Sequence, residues 1–284
     1  MSRNKKDRFW ESGLLNNASY MQYFNRLVEL SVSSFKWTGL PETVDERFME
    51  LILFSDGQCV FFEDEELGFL TLQNAMNGGF DVYRIPKNRR AYAVNGYQKK
   101  LTEKDSVIIF NNMLHTNSRL DVEMFARRLY NFDRIIDVNA NAQKTPAFIQ
   151  CTKQQELTLK NIYKEYTGNA PVIYADQSLT SDPIRVLKTD APYVCDKIYE
   201  LKAKVWNEAL TYLGISNVAV EKKERLVTDE VDRSQGGVLA SRYSRLISRQ
   251  QACEKINKMF SLEIWCEWRE DFDADTEKGE PTNE

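Results

Sequence analysis

The sequence is short of the residues that most catalytic and metal sites require. It has one histidine in 284 residues, so an imidazole can assist a nucleophile at one place at most. Its five cysteines never form a CxxC pair, which argues against a zinc site or a disulfide framework and fits a reducing compartment. We expect the thiols to be buried as small apolar side chains.

Two further absences narrow the class of protein. No stretch matches the phosphate-binding patterns GxxxxGK[ST] or GxGxxG, which leaves no visible nucleotide site. No apolar run approaches the roughly 20 residues that cross a bilayer, and the basic start at 2–8 lacks the apolar segment of a signal peptide. We therefore expect a protein that is made in a cytoplasm and has no membrane partner.

The composition that is present describes a folded chain. It is 42% hydrophobic and 12% aromatic, which is enough for a core and argues against disorder. The length allows one large domain or two ordinary ones. The net charge of -4 does not predict a nucleic-acid binder, although an average can hide local basic patches.

The candidates for catalysis are few. His115 lies in a polar stretch before a helix, where we expect a structural turn histidine. The carboxylates at 63–66 lack the spacing of a calcium loop and predict a solvated hairpin tip. Asp229 and Glu230 can act as an acid–base pair only inside a cleft. The residues therefore give little support to an enzyme and predict no metal site and no cofactor.

The periodicity of apolar residues predicts an α+β fold. Helical spacing predicts helices at 17–37, 45–54, 118–143, 192–213 and 248–260. Short β-like runs predict a barrel-like or sandwich-like module, at 59–62, 68–72, 80–83, 92–94 and 106–110, to which an alternating strand at 262–268 returns. A compact insertion is predicted from strands at 147–149, 171–174 and 184–187 and a helix at 154–166.

The helix at 192–213 organises the second half of the chain. Asp190 is placed as an N-cap, and Pro192 suits the first turn because its missing N–H is not needed there. Gly214 can adopt the left-handed conformation that ends a helix. A helix of this length needs a large partner surface.

Charged residues follow a regular pattern along this helix and form a cluster after it. Lys197 and Lys204 share one face, with Glu200 placed to pair with both. A salt-bridged solvent face is one interpretation of that face. The charged segment 221–230 is either an ordinary loop or a contact for a polyanion, which lysine suits as a point charge.

Several blocks in the second half resemble the connector protein of the small Bacillus-type podoviruses, the phages with a linear, protein-primed genome. This protein is also called the upper collar or portal protein. The resemblance is dense from about 139 to 257, and it is thinner in the first half, where 35–37 and 40–41 are similar. The blocks are 141–146 (NAQKTP), 168–173 (GNAPVI), 188–194 (KTDAPYV), 205–208 (VWNE), 221–225 (EKKER), 227–231 (VTDEV) and 252–257 (ACEKIN).

The resemblance implies a phage portal fold, with long stem helices around a channel, a small α/β clip insertion and a β-rich, SH3-like wing. It also implies a dodecameric ring at one capsid vertex. On this plan the chain comprises a basic N-terminal arm (1–13), a first stem helix and turn (14–43), a wing with the β module (44–117), a stem helix (118–143), the clip (144–191), a stem helix (192–216), a channel loop region (217–246), a wing helix and strand (247–270) and an acidic tail (271–284).

The resemblance also assigns roles to basic residues. It implies contacts with double-stranded DNA in the channel, at Lys188, Lys197, Lys222, Lys223 and Arg225, whereas Lys204 has no counterpart. It implies contacts with a packaging RNA or the packaging motor at Arg3, Lys5, Lys6 and Arg8. The implied partners are capsid and scaffolding proteins, a packaging ATPase with or without packaging RNA, and lower collar and tail proteins.

Three functions are compared at this point. The first is a portal: a structural conduit in the virion, assembled in the host cytoplasm, for DNA packaging and ejection. The second is a monomeric nucleic-acid-binding adaptor that uses the basic arm and the cluster at 222–225. The third is an enzyme built on His115 or a carboxylate pair. The order and length of the resembling blocks favour the portal.

Overall fold

The computed structural model of the chain contains two compact units. One unit is Arg128–Lys204, and the other combines Met1–Arg127 with Val205–Glu284. Each is described by itself below. The residues described are 3–76, 78–143, 147–151, 172–176, 184–186, 192–216 and 228–269, with the backbone alone for 3–16, 147–151, 172–176, 184–186 and 228–235.

The first helix, α1 (Arg3–Val32), begins earlier and ends earlier than the sequence predicts. The predicted arm at 1–13 is helical from Arg3 onward, and the predicted end of the helix at residue 37 is wrong. Aromatic and polar residues alternate after the helix, buried and exposed in turn, and this period of two belongs to a strand. The strand is β1 (Phe35–Thr38).

The second helix, α2 (Glu46–Asp56), confirms the helix predicted at 45–54. The Asp45 carboxylate accepts a hydrogen bond from the backbone N–H of Phe48 at 2.8 Å and caps the first turn. Gly57 follows with φ of 83°, a conformation that ends helices and suits glycine. The start and end signals in the sequence are therefore both used.

A five-stranded antiparallel sheet makes up the β module. Its strands are β2 (Gln58–Asp64), β3 (Gly68–Met76), β4 (Asn88–Tyr92), β5 (Gln98–Thr102) and β6 (Ser106–Phe110), in the order β5-β4-β3-β2-β6. Since β5 and β6 lie at opposite edges but are joined by a short turn, the sheet has to curl until its edges approach each other. The Arg89 guanidinium of β4 donates to the Ser106 carbonyl and ties this closure. The predicted barrel-like module is confirmed.

Strand β2 lies between two cores, which explains its unbroken apolar run. Phe61 packs with α2, β1 and the far end of the chain, whereas Val60 and Phe62 face the interior of the sheet with Ala91 and Leu101. A strand covered on both faces shows no alternation. The β module is thereby held between its own interior and the helices outside it.

The strand predicted at 80–83 is wrong. The Asp81 carboxylate accepts hydrogen bonds from the backbone N–H groups of Tyr83 and Ile85, each at 2.8 Å, and so closes a turn. Arg84 adopts a positive φ of 63° in this turn, and Phe80 makes an isolated bridge to Pro86. Local side-chain bonds therefore replace the predicted ladder.

The unit Arg128–Lys204 contains a three-stranded sheet. Its strands are β7 (Ala147–Cys151), β8 (Val172–Asp176) and β9 (Ile184–Val186), with β7 parallel to β8 and antiparallel to β9. These strands confirm the three predicted for the insertion. The helix predicted at 154–166 lies outside the described residues. The chain enters this unit along α3 (Arg119–Ala142) and leaves it along α4 (Cys195–Leu213).

Helix α4 starts later than predicted. The carbonyl of Val194 accepts the first intrahelical bond, from the N–H of Ile198, so Val194 and not Asp190 is the N-cap. Pro192 precedes the helix, and Asp190 lies outside the described residues. At the other end, Gly214 has φ of 81° and ends the helix as predicted.

The last helix, α5 (Thr228–Phe260), is the longest of the described helices, at about 50 Å. The helix predicted at 248–260 begins at Thr228, so the prediction of a loop region at 217–246 is wrong from Thr228 onward. Residues 217–227 lie outside the described residues. Strand β10 (Trp265–Trp268) follows and pairs antiparallel with β1, not with the five-stranded sheet as predicted. Among the described residues no helix combines the length and apolarity needed to cross a membrane.

Candidate functional site

The structure describes part of the predicted site. Lys197 lies on α4 with its side chain exposed. Arg3, Lys5, Lys6 and Arg8 belong to the first turns of α1, where the backbone alone is described. The predicted residues outside the described part of the chain are Lys188, Lys222, Lys223 and Arg225.

One face of α4 carries a line of exposed charges. Lys197, Glu200 and Lys204 are all exposed, and the two lysines lie about 10 Å apart along the helix axis. No ion pair joins Glu200 to either lysine among the described side chains, so the salt-bridged face considered for the sequence is not formed. Both ammonium groups are directed to solvent and are available to an anion.

The opposite side of α4 is fixed to α3. The Lys202 ammonium lies 2.6 Å from a carboxylate oxygen of Asp133, and both side chains are partly buried. The Asn139 side chain accepts a bond from the Val194 N–H at 3.1 Å and donates to the Pro192 carbonyl at 2.9 Å. These contacts set the rotation of α4 about its axis, and that rotation keeps Lys197 outward.

The end of α4 is closed by its own backbone and by arginine. The N–H of Ile215 donates to the Leu210 carbonyl at 2.9 Å, while the N–H of Gly214 donates to the Thr211 carbonyl at 3.0 Å. This pair of bonds is the Schellman arrangement, which satisfies carbonyls that have no partner within the helix. A Cβ at Gly214 would lie 3.1 Å from the backbone of Arg242, so the glycine also permits close approach of α5.

Two arginines of α5 bind the carbonyl end of α4. Arg242 Nε donates to the Gly214 carbonyl at 3.2 Å, and Arg245 donates to the Tyr212 carbonyl at 3.1 Å. Arg245 also donates to the hydroxyl of Ser118, the residue that precedes α3, at 2.8 Å. Positive charge at a helix C-terminus is favourable because the carbonyls there carry partial negative charge. Burial lowers the pKa of Arg245, and the Tyr212 side chain opposes this effect.

A third arginine on the same side of α5 is completely enclosed. Arg249 forms two bonds with the Glu50 carboxylate of α2, at 2.8 and 2.7 Å, and donates to the Asn111 carbonyl at 2.8 Å. Trp37 donates to the same carboxylate at 2.9 Å, and the guanidinium carbon lies 3.8 Å from the centre of the Phe35 ring. Burial disfavours the Arg249 cation, but Glu50 outweighs this and raises its pKa.

The arginine series was not predicted. Arg242, Arg245 and Arg249 follow the spacing i, i+3, i+7, which places them on one helix face. The same face continues with Ala252 and Ile256, both buried. The three arginines share a helix face with apolar residues, and this pattern in the sequence could have indicated that their side chains are buried.

The remaining candidates have structural roles. His115 has φ of 59° and stacks on Phe110 with ring centres 3.6 Å apart, and burial followed by the charge of Lys255 lowers its pKa. It is a turn histidine, as predicted. The cluster at 63–66 is a hairpin tip, in which Asp64 accepts bonds from backbone N–H groups of the turn.

The cysteines also have structural roles. Four are buried and free, as predicted: Cys59, Cys195, Cys253 and Cys266. Burial raises the pKa of the Cys253 thiol to about 12, so it stays protonated and unreactive. The described part of the chain contains no group of histidine, cysteine and carboxylate side chains that could hold a metal ion.

Comparison with known proteins decides the family. The model of the family described as Phage Connector (GP10) matches residues 3–273, which is nearly the whole chain. The chain belongs to the phage connector family. The connector is a head–tail connector, or portal, protein of a bacteriophage, and this family is structural rather than enzymatic.

Three solved structures are similar to this connector to different degrees. The portal and tail structure of native bacteriophage P68 has 17% identity and a TM-score of 0.52, and the match covers 93% of this chain and 90% of that chain. A HK97 family phage portal protein from Corynebacterium diphtheriae has 10% identity, a TM-score of 0.42 and coverages of 88% and 92%. The neck of an empty gene transfer agent particle has 11% identity, a TM-score of 0.46 and coverages of 90% and 81%. The P68 match supports the predicted α+β portal fold of the connector.

Proposed function

We propose that this connector assembles into a dodecameric ring at one capsid vertex and forms the channel through which double-stranded DNA is packaged and ejected. The family match over residues 3–273 is the observation that carries this proposal. The sequence blocks further suggest a small Bacillus-type podovirus with a protein-primed linear genome. The ring is a conduit, and ATP hydrolysis belongs to a separate packaging motor.

The outward face of α4 lines the channel in this proposal. Lys197 is exposed there and is not paired with Glu200, so its ammonium group is free to meet a phosphate. Ring symmetry repeats each lysine around the axis, and a moving duplex meets weak, repeated contacts rather than one strong site. The proposed channel contacts are Lys188, Lys197, Lys222, Lys223 and Arg225.

The basic residues at the start of α1 serve the packaging machinery in this proposal. Arg3, Lys5, Lys6 and Arg8 contact a packaging RNA or the packaging ATPase directly. A gel shift with the cognate prohead RNA separates the two partners. The same shift with all four residues changed to Ala is the control for charge.

The other proposed partners follow from the position at the vertex. Capsid and scaffolding proteins surround the wing, which comprises the β module and the end of the chain, and lower collar and tail proteins bind the clip at 144–191. The connector assembles in the host cytoplasm and remains in the virion at the head–tail junction.

Electron microscopy of the purified full-length protein tests the proposal most directly. We expect rings with a central hole and a single subunit number, and mass photometry gives that number. A homogeneous monomer that retains DNA binding contradicts the ring and favours a monomeric nucleic-acid-binding adaptor.

A second experiment tests the channel contacts. Lys222→Ala/Lys223→Ala is expected to form normal rings but to change retention or exit of packaged DNA. Lys100→Ala, an exposed lysine of β5, is the matched control. Unchanged packaging and retention in the double variant contradict the assignment.

A further inference from the structure

A groove lies between the free edge of the β module and the last turns of α5. It has a volume of about 410 Å³, within the range of about 300–1,000 Å³ that is typical of ligand sites. Its apolar wall comprises Val107, Ile108 and Phe110 of β6 and Met259 of α5. Neighbouring strand residues point to opposite faces, so a groove that touches both Val107 and Ile108 follows the edge of β6.

Beyond Ser106, where the sheet closes, the outer edge of β6 pairs with no strand among the described residues. β6 pairs with β2 on one side and is the last strand of its sheet among the described residues. An unpaired strand edge offers N–H and C=O groups that a further strand can bind. The end of the groove at Ser106 is closed, because Arg89 of β4 is buried there and donates to the Ser106 hydroxyl at 3.1 Å.

The rim of the groove is basic. Lys255 and Lys258 of α5 line it and are both exposed. Neither lysine forms an ion pair with a side chain in the described part of the chain. One carboxylate, Glu103, lies on the rim. The groove therefore fits an extended segment that alternates apolar and acidic side chains.

One segment of this chain has that alternation. Residues 270–275 read EDFDAD, with Phe272 and Ala274 apolar and Asp271, Asp273 and Asp275 acidic. In an extended segment the apolar pair takes one face and the carboxylates take the other. The apolar face suits the wall of the groove, and the acidic face suits its lysines.

The short chain length between β10 and the segment limits how far the segment of the same chain can reach. Trp268, at the end of β10, packs against Arg242 with the guanidinium 4.6 Å from the ring centre. Lys255, the groove residue of α5 nearest to Arg242 in sequence, lies thirteen residues further along the helix, about 20 Å away. Phe272 follows Trp268 by four residues, which span at most about 14 Å when extended. This comparison favours another copy as donor.

We propose that residues 271–275 of one connector add a strand to β6 of a second copy, with Phe272 in the groove and the aspartates on Lys255 and Lys258. This contact is heterologous, because one copy supplies the strand and the next supplies the groove. Such contacts form a ring when the rotation between successive copies closes. The inference rests on the assembly proposed above and supplies it with a specific linkage between neighbours.

Photo-crosslinking in the full-length protein tests this linkage. Benzoylphenylalanine replaces Phe272, and the irradiated protein is analysed on a denaturing gel and by mass spectrometry. We expect covalent dimers and higher multimers, with the crosslinked peptide at 106–110 or 255–259. The same probe at Thr282, outside the alternating segment, is expected to give none of these products.

Charge reversal tests the recognition. Lys255→Glu/Lys258→Glu is expected to lower the multimer yield about tenfold, since two ion pairs become repulsive. Adding D271K/D273K/D275K to that variant is expected to restore the yield, while Lys100→Glu/Arg90→Glu, on exposed positions of β5 and β4, leaves it unchanged. Restoration excludes misfolding as the cause of the lower yield.

The outcomes separate this inference from the proposed function. The linkage is overturned by crosslinks within one chain, by crosslinks to other surfaces, or by a multimer yield that does not change when Lys255 and Lys258 are reversed. If microscopy still shows rings in any of these cases, the portal function stands. A monomer in the microscope and no multimer on the gel overturn both. Multimers crosslinked at the groove support the linkage whatever the DNA experiments show.

Discussion

The chain uses its charges in two opposite ways, and the contrast is clearest between Arg249 and Lys197. Arg249 is 1% exposed and is surrounded by Glu50, Asn111 and aromatic rings. Lys197 is exposed on α4 and has no acidic partner on its helix face. The Arg249 charge joins α5 to α2 through Glu50. The Lys197 charge is exposed to solvent on α4, and other residues hold that helix in place. Burial and pairing, rather than charge itself, separate a structural cation from one that is free to bind a partner.

The largest expected effect is the loss of the buried pair. Arg249→Met leaves the Glu50 carboxylate buried without its cation, and we expect a loss of about 3–5 kcal/mol in the free energy of unfolding. Chemical denaturation measures it. Glu50→Gln/Arg249→Met is expected to recover part of the loss because no charge stays buried.

An exposed pair provides the matched control for that change. Arg119 lies 3.0 Å from Glu123 on the surface of α3. Arg119→Met is expected to cost about 0.5 kcal/mol or less, because exposed pairs gain little over hydration. Equal losses for the two arginines would contradict the distinction between buried and exposed charges.

The second largest effect concerns the junction that positions α4. Gly214→Ala forces a side chain into φ of 81° and against Arg242, so we expect a loss of about 1–3 kcal/mol. Gly236→Ala in α5 meets no atom within 4 Å and is expected to be neutral or to stabilise by about 0.5–1 kcal/mol. Thermal unfolding of both variants measures the pair. Opposite signs are expected, and a shared sign would contradict this account of Gly214.

Sequence periodicity and caps predicted the elements that depend on local signals. Asp45 and Gly57 bound α2 because each acts on its own neighbours. The order of the resembling blocks predicted the family and its portal fold. The same local signals failed at 80–83, where Asp81 closes a turn with its own carboxylate. They also failed at β5, whose residues 98–102 include one buried apolar side chain, Leu101.

The buried arginines could not be predicted, because their partners are distant in the sequence. Arg249 meets Glu50 across 199 positions, and Arg245 meets Ser118 across 127. No window of the sequence contains both members of either pair. The same limit applies to the error at 217–246, because Arg242 and Arg245 of the added helical part bind carbonyls at the end of α4, about 30 positions away in the sequence.

A smaller effect is expected where a charge is paired at the surface. The Tyr97 hydroxyl and the Lys99 ammonium hold the pKa of Asp64 well below its usual range. The folded protein therefore binds fewer protons than the unfolded chain, so the stability from Asp64 is present above about pH 4 and is lost as the pH falls. Tyr97→Phe should lower the urea midpoint near neutral pH, and the difference from wild type should shrink in acid. Tyr83→Phe, on an exposed side chain, should show no such trend.

The smallest effect on folding is expected at Lys197, where the proposed function predicts an effect on DNA. Lys197→Ala removes an exposed ammonium without a packing role, so the free energy of unfolding should change by less than about 0.5 kcal/mol. If the lysine contacts a phosphate, the variant should also change the salt dependence of DNA binding. In a plot of log affinity against log salt concentration, the magnitude of the slope should fall by about 0.9 for each phosphate that the variant no longer neutralises.

Lys100→Ala, equally exposed but on the β module, is the control and should leave the slope unchanged. A large loss of stability at Lys197 would place it with Arg249 as a structural cation, whereas an unchanged slope in a stable ring would remove it from the channel. The comparison therefore depends on measuring both quantities in the same variants.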